Sequence, residues 1–314
     1  DREGLDSSFS DSVRTACTYD GNIYALPVTQ HYVAFFYNKA IFERHGLTPP
    51  QTWEQFLELC STLKGEGQTP IALGTRDRWP AQFWFDYLLL HTTGHAYRQR
   101  LMLGQASFTD PEVKRVFALW ASLLQQGFFM DSPNVFDWSE AAKAVHSGEA
   151  AMTLMGSWVI GLFEGQLGWD ADEDFDFFPM PMIDPSLPQA AVGPIDVIVV
   201  AAEGQVAKAK QAIGIFSRVE AQVEMSLGSG ALSPHQDAPQ GAYTTLQLRL
   251  LELVNETQVW SFNYDLATPP QAAEIGLDCF TLFVDDPGNW EPLLQRTQEQ
   301  MAQAFAGLET EETD

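Results

Sequence analysis

Short apolar runs alternate with helices that carry their own start and stop signals, and this switching between two periods restricts the chain to few architectures. "YDGNIYALPV" (19–28) reads as a turn dipeptide leading into a strand. "YVAFFYNKAIFERHGL" (32–47) stays extended, then enters a short helix capped by Asn38 and stopped at Gly46. "TPPQTWEQFLELCSTLKGEG" (48–67) is the clearest helix: Thr52 caps, Gln55 stands three residues later, and Trp53, Phe56, Leu57, Cys60 and Leu63 share a face. "TPIALGT" (69–75), "FDFFPMPMI" (175–183) and "DVIVVAA" (196–202) read as strands, and "SEAAKAVHSGEAAMTLMGS" (139–157) as helix, glycine stop and strand. Beyond residue 203 the pattern is mostly helical. Such alternation predicts an α/β protein with a mostly parallel sheet.

At 314 residues the chain exceeds what one core usually organises, so two lobes are expected. No low-complexity linker separates them, which implies that the chain crosses between lobes more than once. The net charge of −25 repels phosphate backbones and excludes nucleic acid as a partner; its plain reading is solubility or a salty medium. Cys17, Cys60 and Cys279 form no CxxC pair, and Cys60 belongs to a helix's apolar face. No apolar run reaches the roughly 18 residues that cross a bilayer.

Patterns for a nucleophile elbow, a zinc helix, a dinucleotide fold or a phosphate loop are missing. His91 and His95 are four apart, but Gly94 interrupts the helix between them. "DADEDFDFF" (170–178) lacks the central glycine and terminal glutamate of a calcium loop and reads as a solvated acidic loop. No metal or cofactor is expected. What stands out is aromatic placement. Trp53 and Trp120 sit on amphipathic faces, whereas Trp79, Trp158 and Tyr264 lie in irregular polar backbone. A flat ring there either lids the core or offers a stacking surface to a ligand such as a pyranose.

"DGNIYALPVTQHYVAFFYNKAIFERHGLTPPQTWEQFLELCSTLK" resembles the bacterial extracellular solute-binding proteins of family 1, the carbohydrate receptors of ABC importers that include the maltose-binding protein. The likeness recurs in family order at "HSGEAAMTLMGSW", "VGPIDVIVV", "AKAKQAIGIFS", "GSGALSPHQDA" and "FNYDLATPPQAAEIG". It implies a two-lobed periplasmic-binding-protein-like fold of type II that closes by hinge bending. Residues 1–27 and 193–262 would form the N-terminal lobe, and 34–190 with 266–306 the C-terminal lobe. Crossings would lie at 28–33, 191–197 and 263–268, with 307–314 an acidic tail. Members normally carry further chain before the DGxxYxLP segment, so the start of the N-terminal lobe is expected to be missing, leaving sheet edges and apolar surface exposed.

Carried over residue by residue, the resemblance implies a ligand site of His31, Trp79, Gly156, Ser157, Trp158, Asp196, Tyr264 and Asp265. Gly156 would permit close approach, and a helix beginning at Ser157 would turn free N–H groups towards ligand oxygens. Trp79, Trp158 and Tyr264 would stack; His31, Asp196 and Asp265 would bond hydroxyls. The implied protein is a monomeric, non-enzymatic, extracytoplasmic receptor that delivers a mono- or oligosaccharide to an ABC permease, lipid-anchored in some members. The rival readings are a carbohydrate hydrolase or lyase with a carboxylate pair, and a ligand-sensing domain of a signalling system.

Overall fold

The computed structural model describes residues 8–19, 21–227 and 229–311. Ten strands are present among them: β1 (Thr18–Tyr19), β2 (Asn22–Ile23), β3 (Ala25–Gln30), β4 (Val33–Asn38), β5 (Thr69–Ala72), β6 (Ala150–Gly156), β7 (Phe175–Phe178), β8 (Ala190–Val192), β9 (Ile195–Val199) and β10 (Val259–Ser261). The principal sheet has the order β5-β6-β4-β7, and three two-stranded pairs accompany it: β1-β2, β3-β9 and β8-β10.

Only β5-β6 and β8-β10 are parallel, so the expectation of a mostly parallel sheet is corrected. The cause is β4. Its first residue, Val33, lies opposite Gly156, the last residue of β6, and Phe35 lies opposite Phe178 near the end of β7. β5, β6 and β7 therefore all finish at the sheet edge where β4 begins. β3 ends at Gln30 and pairs with β9 outside this sheet, so β4 enters from there and can only run away from that edge.

Local chemistry sets the helices as read. Asn38 Oδ1 accepts from Ile41 N at the start of Lys39–Arg44, and Thr52 Oγ1 accepts from Gln55 N at the start of Trp53–Gly65. The Gln55 side chain completes the cap on Gln51 N rather than on Thr52 N. β7 stops at Phe178, short of the expected 183, because Pro179 and Pro181 cannot donate to a ladder. The last helix, Trp290–Glu311, runs into the segment expected as an acidic tail; residues 312–314 lie outside the described residues.

Two hydrophobic cores result. The larger surrounds the principal sheet and takes in Trp53, Trp120, Cys60 and the helix Gln82–Thr93, of which residues 82–91 are all buried. The smaller joins Phe9, Val13, Leu26, Val28 and Ile195, with Ile198, Ile213 and Met225 against it. The segment 193–262 divides between them: Leu232, Tyr243, Leu246 and Leu250 pack in the larger core, not the smaller. Around the smaller core Ile23, Tyr24, Val197, Val199, Ile215, Phe216 and Leu227 are exposed, and the helix Val206–Phe216 buries no residue fully.

Candidate functional site

The edge where β5 and β6 end and β4 begins collects the loops most able to hold a ligand, as the carboxyl ends of strands do in open α/β sheets. β6 delivers Gly156-Ser157-Trp158, the loop after β5 delivers Trp79, and the step from β3 to β4 delivers His31. β9 lies antiparallel to β3 and brings Asp196 opposite Thr29. The crossings touch backbone to backbone. His31 N donates to Pro194 O at 3.1 Å, and a Cβ on Gly193 would stand 1.9 Å from the His31 carbonyl, so only glycine fits.

A chain of polar contacts ties these segments together. Tyr32 N donates to Ser157 Oγ at 3.4 Å, and Ser157 Oγ lies 2.9 Å from His31 Nδ1. His31 Nε2 lies 3.5 Å from Asp196 Oδ2, which also accepts from the Thr29 hydroxyl. His31 thus bridges the two, with Nδ1 on the Ser157 hydroxyl and Nε2 turned to Asp196. The His31 bond, helped by Thr29, holds the Asp196 carboxyl below the usual carboxylate range, and its side chain remains 57% exposed. Asp196 is thus an oriented, ionised acceptor open to a ligand. Serine, histidine and aspartate follow one another here, yet Ser157 is fully buried and cannot reach a substrate as a nucleophile.

Beside this chain stands an aromatic wall. The half-buried Trp158 meets His31 edge-on at 5.3 Å, Trp79 at 5.8 Å and Phe83 at 6.0 Å; Trp138 lies 6.4 Å from Trp79. A Cβ at Gly156 would stand 2.0 Å from the Trp158 ring, so the glycine makes room for its own neighbour's indole rather than for a ligand. The expected helix start at Ser157 is corrected: the helix is Val159–Gly165, and Ser157 N donates to Tyr32 O at 2.9 Å. Ser157 thereby spends its N–H and hydroxyl on the crossing segment. His31, also buried, orients Asp196.

Tyr264 is not part of the wall. It is buried between Phe85 and Phe280, its hydroxyl donating to Ala272 O at 3.1 Å, and it has no free face to offer. A polar contact fixes it there: Asp86 Oδ2 accepts from Tyr264 N at 2.8 Å, while Arg98 donates to Asp86 Oδ1 at 2.9 Å and to Phe262 O at 2.6 Å. Asp265, half-buried next door, donates its N–H to Gln82 Oε1 at 2.9 Å, and burial pushes its carboxyl up. The expectation missed Thr29, Gly193, Phe83 and Trp138. The VGP step preceding Asp196 was the one legible sign of the Gly193 contact; the others show only once the loops meet.

Elsewhere, His91 is buried with its Nδ1 donating to Pro181 O at 3.2 Å, and His95 Nδ1 lies 3.0 Å from Ser261 Oγ, so the two serve separate contacts. The acidic loop is partly paired: Arg249 reaches Asp172 and Asp176, and Lys39 donates to the Asp172 carbonyl. Among the described residues no group of three or more His, Cys, Asp or Glu side chains could hold a metal, and no helix is long and apolar enough to cross a membrane.

The profile of the bacterial extracellular solute-binding protein family matches residues 1–223, and the chain belongs to that family. An uncharacterised ABC transporter extracellular-binding protein of Pyrococcus horikoshii is 28% identical over 260 residues, covering 82% of this chain and 57% of that protein. A probable sugar-binding periplasmic protein of Mesorhizobium japonicum is 32% identical over 167 residues, 52% of this chain and 39% of its own. The chain thus spans little more than half the length of the first relative. Among solved structures, the bacterial solute receptor AcbH, described as exclusively preferring β-D-galactopyranose, superposes with a TM-score of 0.89 at 25% identity, over 96% of this chain and 77% of that one. A chitin oligosaccharide binding protein gives 0.86 at 23% identity, over 96% and 76%. The fold is the two-lobed type II solute-binding fold.

Proposed function

We propose that this chain is the ligand-binding part of an extracytoplasmic ABC-importer receptor that takes a mono- or oligosaccharide and hands it on to a membrane permease. The observation that carries the reading is the continuous line Trp79–Trp158–His31–Asp196, in which an indole wall borders an ionised, oriented acceptor. A pyranose presents an apolar face to an indole and hydroxyl donors at its rim, so this pairing suits a neutral polyol. Nothing in the line is set up to act on a bond, because the buried serine is closed to attack and the line holds one carboxylate where glycoside cleavage needs a pair. The sugar-binding relatives favour the same class of ligand.

In this reading 28–33 and 191–197 are hinge crossings. Leu232, which exchanges hydrogen bonds with Gln30, and Leu246 and Leu250 in the larger core favour a return to the larger lobe before residue 246 rather than at 263–268. Asp265 remains a candidate for the cleft wall on the resemblance, its backbone N–H tied to the buried Gln82. The receptor acts as a monomer.

A thermal-shift screen with D-galactose, raffinose, maltose and chito-oligosaccharides tests the proposal, with the sugars recovered afterwards and checked for cleavage. Stabilisation of about 2.7 kcal/mol at a hundred times Kd, with the sugar intact, is expected for a one-site receptor. Cleaved sugar would replace the receptor with the hydrolase reading, and no shift with any sugar would remove carbohydrate from the ligand class.

A further inference from the structure

Arg78, just before Trp79, has φ 65° and ψ −51°, a region that side chains larger than glycine's occupy only under strain. Trp79 N donates to Asp77 O at 2.8 Å, which makes Arg78 the middle residue of a positive-φ γ-turn, and Arg78 N donates to Thr75 O at 2.8 Å. Its guanidinium reaches across to the helix Pro270–Asp285. Nη1 donates to Asp278 Oδ1 at 2.7 Å and Nη2 to Glu274 Oε2 at 2.6 Å, two carboxylates one helical turn apart. A single exposed ion pair does little, but a planar fork held at both prongs fixes direction as well as distance. The next residue is the indole that stands 5.8 Å from Trp158, 5.7 Å from Phe83 and 6.4 Å from Trp138.

We propose that Arg78 is a positioning residue: its two ion pairs hold the strained turn in place, and the turn sets Trp79 as a fixed wall of the ligand site. Only the last clause rests on the functional reading above; the hold on Trp79 stands on geometry alone. An ordinary side chain without the fork leaves the strain unopposed, so the turn relaxes to negative φ and carries the indole away from Trp158. Glycine removes the strain itself, and the turn then keeps its shape without the fork. Lysine offers one point of contact in place of two.

The test compares near-ultraviolet circular dichroism of the 314-residue chain, without ligand, across Arg78→Ala, Arg78→Lys and Arg78→Gly. The difference between wild type and Trp79→Phe defines the Trp79 signal, and far-ultraviolet spectra confirm that each variant is folded. Arg78→Ala loses more than half of that signal, Arg78→Lys loses less, and Arg78→Gly keeps most of it. Retention in Arg78→Ala, or an equal loss in Arg78→Gly, overturns the proposal. Titration with D-galactose and raffinose forms a second arm, in which Arg78→Ala weakens whichever sugar the wild type binds. Absence of binding by the wild type would count against the functional reading, and the spectra would still decide the role of Arg78.

Discussion

Asp196 and Gly156 show how single residues shape the candidate site. Because His31 and Thr29 hold the Asp196 carboxyl below its usual range, the acceptor stays ionised through that range, and affinity lost to its protonation should appear only at pH below the ordinary carboxylate value. Asp196→Asn keeps the shape and removes the charge; a hydrogen bond to a charged acceptor is worth about 1.5–3 kcal/mol, so titration should show affinity lower by about ten-fold or more. Gly156→Ala tests the wall differently. Its methyl group would lie inside the Trp158 ring, so the indole must move, and tryptophan emission should shift to the red while far-ultraviolet dichroism is unchanged. An unshifted spectrum would mean that Trp158 does not lie over Gly156. Sequence could flag the Gly-Ser-Trp step as unusual but not what it serves. The glycine spares its own neighbour's ring, and the serine binds a histidine 126 positions away.

Secondary elements were the legible part of the chain, because caps and periodicity are local. Asn38, Thr52 and the apolar face of Trp53–Gly65 are where the sequence puts them. Strand direction was not legible, since it depends on β4 arriving from another sheet, and neither was Tyr264, whose polar surroundings in sequence give no hint of Phe85 and Phe280 above it. The helix Gln82–Thr93, buried nearly all round, carries the clearest pH signature. Burial lowers His91 to about 4 from its ordinary 6.5, so between those values the unfolded chain binds a proton that the folded one refuses. Stability should therefore fall as pH drops from about 6.5 to 4, with a full effect of about 3 kcal/mol from this group. Urea unfolding of His91→Gln should show that part of the slope removed; an unchanged slope would assign it to other groups. Asp86 of this helix pairs with Arg98 of the next one, His95–Met102, and burial already pushes its carboxyl up to about 6. Arg98→Met should cost about 3–5 kcal/mol in urea unfolding at pH 7, because the buried carboxyl loses its cation and must take up a proton to stay inside.

Taken together, the two cores differ in kind. The larger packs helices against the principal sheet, whereas the smaller leaves Val197 and Val199 of β9, together with Ile215 and Phe216, facing outward. An apolar two-stranded edge of this sort invites association, so the chain should bind a hydrophobic dye. Replacing Val197 and Val199 with lysine should reduce the dye signal and leave the melting temperature of the larger lobe unchanged. Between the cores runs the line of rings and acceptor on which the functional reading depends. Calorimetric titration of wild type and Trp158→Ala with the sugar that gives the strongest thermal shift puts that line to the test. The wild type should bind one sugar per chain, and Trp158→Ala should lose about 2 kcal/mol of affinity, about thirty-fold, with its unfolding midpoint little changed. Equal affinity in the two proteins would show that the indole wall is packing and that the ligand is held somewhere else.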